Sequence, residues 1–152
     1  MNNRDQRQLC TFFVDGIHFG LDVLSVQEVL KYQRMTRVPL APKSVSGLIN
    51  LRGQIVTAID LRTRLGLPPR QGERLPINVV VRTEEGAVSL LVDEIGDVLD
   101  ATSSDFEAPP QTVPTASRAL LQGVYKFESR LLLVLDTKRV LAEGRDEEPL
   151  HS

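Results

Sequence analysis

Apolar and polar residues alternate along this chain in short runs, punctuated by glycine, proline and paired acids. Leu9 to Val14 and Ile17 to Val23 flank Asp15-Gly16, a two-residue tight-turn signal, and predict a hairpin. Leu24-Ser25-Val26 predicts a turn or a single helical loop. Gln27 to Tyr32 reads as a third strand; Val23, Val26, Val29 and Leu30 also fit a short helix, and the β-branched content favours the strand. Pro39 and Pro42 break the pattern, and Pro42 to Ser46 predicts one helical turn ended by Gly47. An apolar run then reaches Asn50 and Arg52, turns at Gly53, and returns as a second strand to Asp60. Asp60 is placed to cap a short helix through Arg64, with Gly66 just past its end.

The second half restarts after Pro68-Pro69-Arg70-Gln71-Gly72-Glu73, the one convincing internal linker. Ile77 to Arg82, a turn at Glu84-Glu85-Gly86, and Val88 to Asp93 predict another hairpin. Val98 to Ala101 follows, then a loop from Ser103 to Pro114 with three prolines. A terminal hairpin from Leu120 to Leu135 precedes a helical turn from Asp136 to Glu143, and the tail from Arg145 reads as frayed.

Two segments repeat. Ser46–Leu61 aligns without a gap with Gln122–Thr137, pairing Gly47 with Gly123 and Asp60 with Asp136. Leu21–Leu30 aligns with Leu90–Leu99 in the order apolar, turn, acid, Val-Leu. Two copies at a long period are not a solenoid. With the many short strands and the Gly and Pro punctuation, they predict an all-β fold of two small antiparallel barrels packed together, with a few short helical turns. The expected lobes are about 12–67 and 77–135, meeting near the 68–76 linker, with the N-terminal and C-terminal segments packing across, within one domain over 9–145. Residues 1–8 and 146–152 are expected to be flexible.

Composition narrows the function. Apolar content of 41%, charged content of 25% and a net charge of −2 describe an ordinary soluble domain without a basic footprint for nucleic acid. Aromatic content of 5% with no Trp argues against a base-stacking platform. No apolar run approaches the ~20 residues that span a bilayer, and the polar N-terminus lacks a signal-peptide core, so a cytoplasmic location is expected. Cys10 is the only cysteine and reads as a small buried strand residue, which leaves no internal disulfide or cysteine zinc site.

Candidate chemistry is sparse. His18 and His151 are far apart and lack metal-ligand spacing. The acid pairs Glu84-Glu85 and Glu147-Glu148 read as solvated, and nothing marks Asp93-Glu94 as a catalytic dyad. No phosphate loop or nucleophile motif is present, so neither cofactor nor enzymatic activity is expected. Arg52 stands out. It reads either as a surface arginine paired with Glu28 or Asp60, or as a partner-contact residue whose planar fork suits carboxylates or carbonyls. The second copy of the hairpin places Glu128 where the first has Arg52, so the architecture does not need arginine there.

At these residues the chain resembles the CheW family of chemotaxis coupling proteins. The carrying segments are Phe12-Phe13-Val14, Phe19-Gly20-Leu21-Asp22, Val26-Gln27-Glu28-Val29 and Val38-Pro39. The strongest is Gly47-Leu48-Ile49-Asn50-Leu51-Arg52-Gly53 with Ile59-Asp60-Leu61-Arg62, joined later by Leu91-Val92-Asp93 and Gln122-Gly123-Val124. The resemblance implies two SH3-like five-stranded antiparallel barrels packed together, without an active site. It implies a non-enzymatic adaptor joining chemoreceptor cytoplasmic tips, held in the groove between the lobes, to a CheA-type histidine kinase. The kinase's regulatory domain binds barrel ends, and alternating contacts build rings in an array at the inner membrane face. Val26, Glu28, Gly47, Asn50, Arg52 and Gly53 match positions the family uses for partner contact. The competing reading is a β-barrel module for another peptide ligand.

Overall fold

The computed structural model describes residues 6–102, 105–127 and 129–142. Asp15 and Gly16 carry φ of 54° and 74°, the left-handed pair of a two-residue hairpin turn, and they join β1 (Gln6–Val14) to β2 (Ile17–Asp22). A 3₁₀ turn over Val23–Ser25 follows, started by the Asp22 carboxylate accepting from the Leu24 amide. Then come β3 (Val26–Leu30), β4 (Val45–Leu51), β5 (Gln54–Asp60), α1 (Leu61–Arg64), β6 (Ile77–Thr83) and β7 (Gly86–Val92). β8 (Glu94–Thr102), β9 (Phe106–Glu107), α2 (Thr115–Arg118), β10 (Leu121–Phe127), β11 (Arg130–Leu135) and α3 (Thr137–Val140) complete the described chain. The protein is mostly β, in two sheets ordered β3-β6-β7-β5-β4 and β8-β1-β2-β11-β10-β9. Each is antiparallel apart from one parallel contact, β5 with β7 and β11 with β2. No helix of the described residues is long and apolar enough to cross a membrane.

The two sheets curl alike. After β3 the chain crosses to the opposite edge, where Thr36 bridges Leu48 of β4. After β8 it makes the same crossing, and β9 pairs with β10. Gly47 and Gly123 lie under these crossings. A Cβ on Gly47 would stand 2.6 Å from the Thr36 carbonyl oxygen, and one on Gly123 2.4 Å from Phe106 Cζ. The hairpins then end alike: Asp60 and Asp136 cap α1 and α3 through their carboxylates. Their own amides donate to the Ser44 and Leu120 carbonyls, at 2.7 and 2.8 Å. The repeat is therefore a structural one, and its shared residues close barrels.

The division of the chain differs from expectation. The β1–β2 hairpin of the first half sits in the barrel of β8 to β11, and the β6–β7 hairpin of the second half sits in the barrel of β3 to β5. Lobes of 12–67 and 77–135 do not occur, and the 68–76 linker runs within one barrel. The reason lies at the crossings. Only Asp93 separates β7 from β8, whereas a chain reversal takes at least about two residues. β8 must leave the hairpin it follows, and β3 leaves β2 through 23–25 in the corresponding way.

Packing follows this exchange. Ile49, Val56 and Ala58 fill one barrel and their repeat counterparts Tyr125, Leu132 and Val134 fill the other. The largest cluster, including Phe12, Phe19, Leu61, Leu90, Leu121 and Val140, is a seam drawn from both barrels. Smaller details also depart from expectation. Gln6–Gln8 belong to β1 rather than to a flexible end. Pro42–Ser44 form a turn and not a helix, so Gly47 lies inside β4. Cys10 is half-buried, not buried. α2 was hidden because Pro114, at its N-cap position, provides no side-chain cap. Glu128, Glu143, Arg145, Glu147, Glu148 and His151 lie outside the described residues.

Candidate functional site

The β4–β5 connection consists of Arg52 and Gly53, with φ of 49° and 89°. This is the left-handed two-residue turn that asparagine followed by glycine suits best. Gly53 meets the demand, while Arg52 holds a conformation that costs a β-carbon-bearing residue roughly 1–2 kcal/mol. The Asn50 side-chain oxygen accepts from the Gly53 amide at 2.9 Å and steadies the loop. Arg52 itself reaches across to Glu28 of β3, pairing through Nη2 and Oε2. β3 and β4 are opposite edges of their sheet, so this ion pair closes the end of the barrel. Its arginine is 68% exposed and its glutamate 24%; a pair so open to water adds little to stability. The hydrogen bond from Arg52 holds the Glu28 carboxyl below the usual carboxylate range. The Gln27 side chain supplies a second, longer contact at 3.4 Å.

Of the residues singled out from sequence, Glu28, Asn50, Arg52 and Gly53 meet at this end. Val26, half-buried, belongs to β3 and packs on the shared seam. Gly47 is buried beneath Met35 and Thr36 and offers no surface of its own. Asp60, the other acid considered for Arg52, is occupied capping α1.

A groove of about 1370 Å³ opens between the barrels. One wall comes from β5, the β6–β7 turn and the loop at Leu40 to Pro42, the other from Thr137, Lys138, Leu141 and Ala142 at α3. Ile55 is 64% exposed there, and Leu40 is fully exposed at φ 65°. An apolar side chain in that backbone region is uncommon, and here it stands in water. Sequence reasoning passed over Leu40 and Ile55, because single exposed aliphatics carry no pattern.

The acid pair Asp93-Glu94 comes apart in the structure. Glu94 turns to Arg74 at 2.8 Å. Asp93, 12% exposed, receives Arg62 in a two-pronged contact of 2.8 and 3.2 Å, Arg70 at 3.0 Å, and the Asp15 amide at 2.7 Å. Burial pushes its carboxyl up, and the bonds from Arg62, the Asp15 amide and Arg70 outweigh that and leave it lowered. Arg62 and Arg70 belong to one barrel and Asp15 to the other, so the chain crossing doubles as a charged clamp. His18, half-buried, stacks on Phe13 with ring centroids 4.6 Å apart. Burial, then Arg130, lower its pKa. No group of three His, Cys, Asp or Glu side chains among the described residues could hold a metal ion.

Paired barrels with an open groove between them and a charged, strained turn at one end define a protein built around contact surfaces. The family model for the CheW-like domain matches residues 8–145, and the chain belongs to that family. The Bacillus subtilis chemotaxis protein CheW is 32% identical over 134 residues, covering 88% of this chain and 86% of that protein. A probable chemotaxis protein CheW of Rhizobium etli is 27% identical, covering 95% and 94%. Among solved structures, the scaffolding protein TtCheW of Thermoanaerobacter tengcongensis superposes with a TM-score of 0.76 at 28% identity, covering 86% of this chain and 88% of that one.

Proposed function

We propose that this chain is a non-enzymatic adaptor coupling the cytoplasmic tips of chemoreceptors to a CheA-type histidine kinase, working in the cytoplasm within arrays at the inner membrane face. The observation that carries the reading is the family match over nearly the whole chain, together with two separate surfaces suited to two partners. Helical receptor tips take the groove, where Ile55 and Leu40 offer apolar contact. The kinase's regulatory domain takes the barrel end, where Arg52 presents its free donors and Glu28 and Asn50 fix the turn. Gly53 completes the turn, while Val26 packs on the seam and Gly47 makes room for the crossing chain behind it, and alternating contacts of this kind build rings. Arginine suits such a site because five donors in a rigid fork can hold one acid of the protein and still address a partner.

The test is reconstitution with membranes bearing a chemoreceptor and the purified kinase. Autophosphorylation of the kinase should rise when the protein is added, and the protein alone should show no turnover of ATP or phosphoprotein. Kinase output indifferent to the protein, or phosphotransfer by the pure protein, would refute the proposal.

A further inference from the structure

Leu40 sits where glycine or asparagine belongs. The Ala41 amide donates to the Val38 carbonyl at 3.4 Å, which makes Val38-Pro39-Leu40-Ala41 a reverse turn. Proline is confined to negative φ, and Leu40 stands at φ 65°. The turn is therefore of type II, whose third position demands a left-handed residue. Pro39 suits the second position. Leucine is poorly suited to the third, because its Cβ crowds the backbone and it lacks the short polar side chain that eases this conformation in asparagine. Among the described residues only Asp15, Leu40 and Arg52 take positive φ without being glycine. Aspartate tolerates it. Leu40 and Arg52 do not, and they stand on two different surfaces.

Nothing in the fold offsets the strain at Leu40. Its side chain is fully exposed and joins none of the apolar clusters. The loop that carries it is nonetheless firmly held. Thr36 and Leu48 exchange two backbone hydrogen bonds of 2.8 Å at its base, and the Val45 amide donates to the Pro42 carbonyl at 2.9 Å. Pro39 fixes the turn itself. An aliphatic side chain is thus held out at the lip of the groove, on the wall that carries Ile55, with Leu141 on the opposite wall.

We propose that Leu40 is the anchor by which this chain holds a receptor tip, a preformed knob that enters a hole between side chains of a helix lying in the groove. This assignment rests on the adaptor reading and names, within it, the residue that dominates the groove contact. Backbone strain of this kind clusters at binding sites, where the side chain it presents matters more than the stability it costs. A knob already fixed in place also loses little conformational freedom on binding. Ile55, exposed on a regular strand, widens the apolar contact without strain. The partner that fits is a helix whose apolar stripe leaves a gap at a small residue, since a leucine knob needs a hole between neighbours about one turn apart.

The experiment compares two variants of the full chain. Leu40→Asn keeps the turn and removes the knob, whereas Leu40→Met keeps an apolar side chain of similar reach. Titration calorimetry measures binding to a soluble coiled-coil fragment carrying a chemoreceptor's cytoplasmic tip and, separately, to the kinase's regulatory domain. Thermal melts measure stability. Leu40→Asn should melt about 2–8 °C higher than the parent, because the turn is relieved of strain. It should bind the tip at least about tenfold more weakly and the regulatory domain within about twofold of the parent. Leu40→Met should gain no stability and bind the tip within about threefold of the parent. A Leu40→Asn protein that binds the tip as the parent does overturns the anchor and leaves the adaptor reading standing. A melting temperature that stays level or falls overturns it as well, since the leucine would then carry no strain, and so does equal loss of both partners. A parent that fails to bind the tip refutes the adaptor reading and the anchor with it.

Discussion

At the scale of single residues, Gly47 and Arg52 illustrate opposite reasons for a residue type. Gly47 is glycine because the crossing chain leaves no room, with the Thr36 oxygen 2.6 Å from where a Cβ would be. Gly47→Ala should cost about 1–3 kcal/mol or more, as overpacking does, and Gly123→Ala should behave alike; denaturant melts decide it. Arg52 holds a backbone conformation that asparagine accepts more readily, at φ 49°. Arg52→Asn should therefore keep or raise the melting temperature, since the exposed ion pair with Glu28 that it loses contributes little. The same variant should bind the kinase's regulatory domain about tenfold or more weakly, measured by titration calorimetry. Undiminished affinity in a folded Arg52→Asn protein would remove Arg52 from the partner surface. Glu28 shows how far reading a sequence can go: it was one of two acids considered for Arg52, and only barrel closure brings β3 to the β4–β5 turn.

At the scale of elements, most strands and two of the helical turns were legible because each has its own local code. Asp15-Gly16 and Arg52-Gly53 mark reversals, alternation marks strands, and Asp60 and Asp136 mark helix starts. The Asp93 clamp was not legible, since its partners Asp15, Arg62 and Arg70 come from three separate places in the chain. Asp93→Asn should destabilise by about 2–4 kcal/mol, because it leaves two largely buried arginines short of their anion. Its pH dependence has a definite sign. The folded carboxyl titrates below its ordinary value, so its stabilisation is complete above the ordinary aspartate range and is lost as pH falls below about 4. Thermal melts of the parent should drop across that interval more steeply than those of Asp93→Asn, and parallel curves would show that the clamp carries no acid sensitivity.

At the scale of the whole molecule, the repeat was readable and its assembly was not. The repeat is a property of residues in line, whereas which barrel a hairpin joins depends on pairings such as β1 with β8 and β3 with β6. Cutting the chain in the exposed stretch 71–75 leaves each fragment with the other's hairpin missing. Neither fragment should show a cooperative melt by circular dichroism, and an equimolar mixture should recover one. A fragment that melts cooperatively as a monomer would contradict the interleaved arrangement. Its consequence concerns lineage: a half-length chain of this design is a strand-exchanged dimer, complete only when a second molecule lends its hairpin. Tandem fusion through 68–76 makes that loan intramolecular, so the fold no longer depends on how many molecules are present.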